Sequence, residues 1–426
     1  MKIYRANIIY APSPERLELI PHGYIAVLRN GTIEGVYTTE LPKQFEWRQV
    51  IDFGDKLLIP AYNDLHVHAP QYRNLGLALD LELLPWLNTY TFPEEAKFAD
   101  PAYARRLYRR FVHELWMQGT MRSAIFASMH TEATCILAEL IAQSGMGAYV
   151  GLVGMDRNSP DNLRNNTKDL IAGMETLREY LNKRGNNGLV KPIITPRFVP
   201  SCSPEMLQAL GEYAKETGTP VQSHLSENRS EIAWVKELEP ESTCYGDAYN
   251  RYGLFGQTPT LMAHCCYTDG EELELIKRNG VVVVHCPMSN SNLSSGIAPI
   301  RTFLEQGIKV ALGTDVSAGH NMSMLRAMQY AIQVSKLRYA ESKGEYRFLS
   351  LSEVLYLATK AGGSFFGKVG SFEKGYEFDA LVIDDSYLNY DHYTLEQRLE
   401  RYIYLGDDRD IKRRFCRGVE LTEPEM

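Results

Sequence analysis

No stretch of the 426 residues approaches the roughly 18 consecutive apolar residues that a membrane-spanning helix needs. The opening segment, MKIYRANIIYAPSPERLELI, lacks the apolar core of a secretory signal. Cysteine pairing is also missing. Seven cysteines are an odd number, none stands in C-x-x-C, and Cys265 and Cys266 are adjacent, a poor spacing for one metal ion. A reducing, cytoplasmic compartment is the simplest expectation. Basic charge is scarce: the net charge is −8, which argues against nucleic acid and anionic membrane as partners. No G-x-G-x-x-G follows a strand-like run, so nothing supports a doubly wound dinucleotide-binding sheet.

What is present belongs to an ordinary globular chain, 44% hydrophobic and 23% charged, long enough for a large core and more than one domain. Residues 1–62 read as short strands. Lys2–Tyr10, Gly23–Arg29, Thr32–Thr38 and Arg48–Phe53 are β-rich, and Asn30-Gly31 is a hairpin signal. From Leu57 onward, short apolar runs alternate with helical stretches such as Pro101–Gly119, Ser203–Gly218 and Gly270–Asn279. The runs are Leu57–His68, Thr120–Met129, Ala148–Asp156, Lys191–Phe198, Pro220–Glu227, Thr260–Cys266, Val281–Cys286 and Lys309–Asp315. Continuous apolar runs alternating with helices mean parallel strands covered on both faces. Eight such units predict an α/β fold, a TIM-type (β/α)8 barrel over residues 63–370, with its active site at the C-terminal ends of the strands. β character returns at Phe378–Ile383, Tyr402–Leu405 and Arg413–Arg417. Segments 1–62 and 371–426 are therefore expected to pair into one β-sandwich domain.

The ends of the eight runs carry the chemistry. In LLIPAYNDLHVHAPQY, strand alternation points His66 and His68 to one side. The fourth run ends near Arg197, the fifth, VQSHLSE, gives His224 and Glu227, the sixth gives His264, and the eighth gives Asp315. Two close histidines are common in any long chain. Their convergence with further ligands at strand ends is the specific signal. His66, His68, His224 and Asp315 are the expected metal ligands, leaving an open position for water. Imidazole suits zinc and iron alike. Glu227, three residues past His224, is placed to shuttle a proton. Alone, such a loop glutamate would read as a surface residue. His22, His113 and His392 read as structural or exposed, and His285 as a hydrogen-bonded wall residue.

The order H-x-H, HLSE, a sixth-strand histidine and GTD resembles the amidohydrolase superfamily. Its members combine a (β/α)8 barrel with a terminal β-sandwich and hydrolyse C–N and related bonds on a metal. HCPMSN is similar to the branch holding aminohydrolases of purines, pyrimidines and triazines. DLHVHAPQY, LPWLNTYTFPEE, SHLSEN and LGTDVSAGH resemble the members acting on guanine, across essentially the whole chain. The resemblance implies hydrolytic deamination of guanine to xanthine and ammonia, by a metal-activated hydroxide attacking C2. It implies that Glu227 protonates N3, that Asp315 takes the water proton, and that His264 orients the hydroxide or stabilises charge. Gln71 carries a donor and an acceptor for a purine edge, Arg197 a charged donor for O6, and Phe198 can flank the ring. The alternative for Arg197 is a local ion pair that only shapes the wall. Trp86 to Phe92 would cover the site or belong to the core.

Binuclear members of the superfamily carry a carboxylated lysine at the end of the fourth strand. Arg197 stands there in this chain, which implies one metal: one zinc ion per chain, with ferrous iron as the alternative. A small-molecule purine substrate and a homodimer follow from the same resemblance. A second deaminase architecture holds zinc through P-C-x-x-C, which does not occur here. Two rival readings are a sibling aminohydrolase acting on another purine, a pterin or a triazine, and a non-catalytic scaffold on the same fold. A scaffold is expected to lose metal ligands, and the full set is present.

Overall fold

The computed structural model describes residues 1–77, 79–183 and 188–426. Both ends of the chain build one seven-stranded sheet. Its spatial order is Val419–Glu420, Ile411–Cys416, Ala380–Ile383, Val50–Pro60, Lys2–Ser13, Arg16–Val27 and Ile33–Tyr37. The Asn30-Gly31 turn closes the last hairpin. Gly31 has a φ of 85°, a left-handed backbone that costs glycine little. One face of the sheet buries aromatic rings: Tyr4 stacks on Phe378 at 5.0 Å, among Ile8, Ile25, Leu58, Val382 and Phe415.

Between these ends the chain is α/β. Tyr62–His68, Thr120–Phe126, Gly147–Gly151 and Val190–Pro192 form one parallel sheet. Val221–Leu225, Thr260–His264, Val282–His285 and Val310–Leu312 form another. Helices such as Pro101–Met117, Pro204–Thr217 and Gly270–Asn279 alternate with the strands. Backbone hydrogen bonds cross between the sheets. The Asp315 N–H donates to His66 O at 2.8 Å, and the Ile194 N–H to Pro220 O at 2.9 Å. Leu65, Ala124, Ile193, Leu261, Val284 and Ala311, drawn from both sheets, form one apolar cluster.

Three elements differ from expectation. The run Leu57–His68 is two strands, because the chain changes sheets at its middle. The Ala61 N–H donates to Asp379 O at 3.0 Å in the terminal sheet, and the Tyr62 N–H to Gly119 O at 3.2 Å beside the parallel sheet. Both halves are buried, so hydropathy does not mark the crossing. The fourth run breaks into Val190–Pro192 and Thr195–Pro196, since Pro192 and Pro196 have no N–H to extend a ladder. Tyr402–Leu405, expected as a strand, ends the helix Leu395–Leu405. Thr394 and Gln397 form a capping box at its start, and buried Leu399, Tyr402 and Ile403 recur at helical spacing.

Arg122 ties the first parallel sheet to the terminal sheet. Its guanidinium is buried, with Nε donating to Asp379 Oδ2 at 2.7 Å and Nη2 to Glu377 Oε2 at 2.6 Å. Removing the guanidinium takes the ion partner from the buried Asp379 carboxylate, while Glu377 is partly exposed and keeps Arg417 at 3.1 Å. Arg122→Ala is expected to cost about 3–5 kcal/mol of stability, read from the urea unfolding midpoint. A loss under about 1 kcal/mol, the scale of a surface pair, would show that the junction does not depend on it.

Candidate active site

Strand alternation does place His66 and His68 side by side, with their Nε2 atoms 3.2 Å apart. His224, from the other parallel sheet, brings its Nε2 to 3.2 Å from that of His68. Asp315 follows Val310–Leu312, and its Oδ1 lies 3.2 Å from His66 Nε2 and 3.3 Å from His68 Nε2. Gly313 allows this approach: a Cβ there would lie 2.8 Å from the Cβ of His66. His264 and Asp315 themselves have φ of 74° and 51°. Non-glycine residues held there store about 1–3 kcal/mol each, which surrounding contacts must offset.

The donor chemistry suits a divalent metal. His224 Nδ1–H donates to the Arg197 carbonyl at 2.6 Å, which leaves Nε2 with its lone pair facing the other imidazoles. Burial lowers the pKa of His66 to about 4, so its ring is neutral near pH 7. Burial, then the neighbouring imidazoles, hold His224 well below the usual histidine value. Nε2 atoms 3.2 Å apart either share a proton or, as bare lone pairs, are held together by a cation between them. The ligand atoms of His66, His68 and His224 all lie within 4.8 Å of one another, as do those of His66, His264 and Asp315.

Glu227 and His264 stand beside this cluster, with His264 Nε2 3.8 Å from Asp315 Oδ2. Glu227 follows Ser226, whose φ of 46° turns the chain out of the strand Val221–Leu225. Glu227 Oε2 is 3.5 Å from His264 Nε2, and its Oε1 accepts from the Ser295 hydroxyl at 2.9 Å. Burial raises the Glu227 pKa, favouring the protonated acid. Burial opposes a charge on His264, but Glu227 and Asp315 outweigh it and hold the imidazole above its usual value. Burial likewise opposes the Asp315 charge, and the facing imidazoles hold its carboxyl well below the ordinary range. His264 Nδ1 donates to Asn290 Oδ1 at 2.8 Å, which aims Nε2 at the two carboxylates.

One cavity gathers His68, His224, His264, Asp315 and Glu227 with Gln71, Arg197 and Phe198. Leu83, Trp86 and Leu87 form its apolar wall. Trp86 and Leu87 thus stand where a covering segment was expected, while Phe92 lies behind, its ring 5.0 Å from the Arg197 guanidinium carbon. Arg197 is already paired, with Nη1 and Nη2 donating to Glu95 at 2.6 and 3.1 Å. The local ion pair and the ligand-facing position therefore coexist.

Several residues escaped the sequence reading. Glu95 and Asn290 lie inside quoted motifs, but neither follows a strand at a ligand spacing. Glu231 accepts from the Glu227 and Asn228 N–H groups at 3.1 and 3.3 Å and fixes that loop. Burial, then the Glu227 charge, push its pKa to about 7. Its signal was the capping-box pattern from Asn228 to Glu231. Asp64 accepts from Thr314 N–H at 3.0 Å and His66 N–H at 3.2 Å, linking the first and last ligand strands. His285 Nδ1 is a buried atom without a hydrogen-bond partner among the described residues, and the residue lines a separate cavity with Arg301 and Arg338. His113 is structural, 2.8 Å from Glu423.

The amidohydrolase family pattern matches residues 57–421. The chain is 36% identical over 444 residues to the guanine deaminase of Dictyostelium discoideum, covering 99% of this chain and 98% of that one. It is 37% identical over 381 residues to the guanine deaminase of Homo sapiens, covering 86% and 83% of the two chains. A crystal structure of guanine deaminase from C. acetobutylicum, with guanine bound in its active site, superposes with a TM-score of 0.96 at 50% identity. That alignment covers 99% of this chain and 100% of the other.

Proposed function

Because the chain belongs to the amidohydrolase family, we propose that its cavity performs the reaction for which these full-length relatives are named. The chain is an enzyme that hydrolyses guanine to xanthine and ammonia. The observation that carries its mechanism is the gathering of three kinds of group on one cavity. These are the convergent imidazoles with Asp315, the Glu227–His264 pair, and the Gln71 and Arg197 donors beside Phe198.

Arg197 holds the guanine O6 through its remaining N–H groups, Gln71 reads a ring edge, and Phe198 flanks the ring. Leu83, Trp86 and Leu87 exclude bulk water, which strengthens every polar contact inside. His66, His68, His224 and Asp315 would hold a divalent metal, which would supply an activated water for attack at C2. Glu227 gives its proton to N3 as C2 becomes tetrahedral, and burial raises the proton affinity of that carboxyl. Asp315 takes the proton of the attacking water. His264 stabilises the developing negative charge or orients the water. The proton on Asp315 passes to the leaving amino group, ammonia departs, and the C2 hydroxyl returns a proton to Glu227 as the C2 carbonyl of xanthine forms.

The metal is zinc, one ion per chain, with ferrous iron as the alternative; Arg197 at the fourth strand end leaves no lysine to bridge a second ion. Residues 63–370 form a (β/α)8 barrel, supported by the hydrogen bonds between Asp315 and His66 and between Ile194 and Pro220. Residues 1–62 and 371–426 form the β-sandwich domain, supported by their shared sheet. The homodimer rests on the family resemblance. A cytoplasmic location rests on the seven unpaired cysteines. Among the described residues no helix is long and apolar enough to cross a membrane.

Incubation with guanine, adenine and cytosine separates the substrate classes. Guanine is expected to yield xanthine and one ammonia per ring. Faster turnover of adenine or cytosine would overturn the substrate assignment. Glu227→Gln keeps the shape but cannot exchange the proton. Its turnover is expected to fall by about 10²–10⁴ with metal content unchanged. Near-normal turnover at full metal loading would remove Glu227 from the proton path.

A further inference from the structure

Two polar side chains that line the cavity, Gln71 and Arg197, rest on one buried carboxylate. Glu95 Oε1 accepts from Gln71 Nε2 at 2.9 Å and from Arg197 Nη2 at 3.1 Å, while Oε2 accepts from Arg197 Nη1 at 2.6 Å. Glu95, Arg197 and Gln71 are 6%, 4% and 2% exposed, so solvent does little to screen this cluster. The Ser317 N–H donates to Gln71 Oε1 at 3.2 Å. A carboxylate only accepts and a backbone N–H only donates, so the Gln71 amide has one orientation. Its second Nε2–H is left for a ligand in the cavity that Gln71 lines.

Two other titratable groups feel Glu95. Burial raises the Tyr108 pKa well above its usual value and lowers that of His130, so both are neutral near pH 7. Among the described residues, no other carboxylate pairs with Arg197. An unpaired buried guanidinium is a receptor for carboxylate or phosphate. A guanidinium already matched by a carboxylate offers directed N–H groups without net charge.

We propose that Glu95 is a positioning residue that sets the charge selectivity of this pocket, fitting it to a neutral ring carbonyl and against anionic heterocycles. It does so by neutralising Arg197 while holding Gln71 as a donor. The proposal rests on the guanine reading of the cavity. Guanine is neutral near pH 7, whereas xanthine loses a proton more readily. Discrimination against the xanthine anion favours product release.

The test compares binding of hypoxanthine, which stays largely neutral, with that of xanthine, at a mildly alkaline pH where xanthine is mostly its anion. Both are measured by calorimetry and as inhibitors of guanine turnover. The wild-type enzyme is expected to favour hypoxanthine. Glu95→Gln keeps the size of the side chain and removes its charge. It is expected to shift the ratio of the two dissociation constants toward xanthine by about tenfold or more, with guanine turnover hurt mainly through KM. Glu95→Asp retains the charge and is expected to keep the wild-type ratio even where both ligands bind more weakly. An unshifted ratio in Glu95→Gln, or an equal shift in Glu95→Asp, would overturn the proposal. If Glu95→Gln does not fold, Arg197→Gln decides. The carboxylate is then alone and should deepen the rejection of xanthine, and an unchanged ratio would overturn the role of Glu95. A wild-type enzyme that leaves guanine untouched overturns the reading of the site itself, whereas normal guanine turnover with an unshifted ratio overturns only the role of Glu95.

Discussion

Three imidazole nitrogens brought to 3.2 Å from their neighbours, beside a carboxylate, are the constraint from which the rest of the site follows. Left bare, such an arrangement is electrostatically poor; around a cation it is favourable. The chain invests in keeping it. The Arg197 carbonyl sets the His224 tautomer, Asp64 clamps the backbone of His66 to Thr314, and Gly313 lets the last ligand strand close on the first. Asp315 stays in left-handed backbone with its N–H held by the His66 carbonyl and its neighbour Thr314 held by Asp64.

The remaining charges are sorted around that centre. Glu227, held by Ser295 and by the loop that Glu231 fixes, faces His264 in a buried setting where proton affinity rises. Arg197 and Glu95 cancel each other on another wall. Trp86, Leu83 and Leu87 supply apolar surface between them. The cavity thereby combines a polarising end with a neutral recognition end, which suits an uncharged, hydrogen-bond-rich ring.

Much of this was legible in the sequence because parallel strands print continuous apolar runs and chemistry collects at their ends. His66, His68, His224, His264 and Asp315 each stand at or just past such an end, and they meet. Position along one strand is a local property. Pairing across the fold is not: Arg197 meets Glu95 across 102 residues, and nothing near either residue announces the other. The change of sheet at Ala61 was hidden because both halves of the run are equally buried. The helix Leu395–Leu405 was misread from a short aromatic window, although Thr394 and Gln397 carried its capping signal. Bonding partners of His264 and Glu227 lay in HCPMSN and the loop after it, where polar spacing has no period to read.

X-ray absorption at the metal edge of the purified enzyme, with elemental analysis on the same sample, tests the ligand set most directly. One metal per chain is expected, in a shell of imidazole nitrogen and carboxylate oxygen at about 2.0–2.2 Å, lost in His224→Ala. Sulfur scattering near about 2.3 Å would point to cysteine instead, and two tightly held metals per chain, or an undiminished shell in His224→Ala, would contradict the site described here.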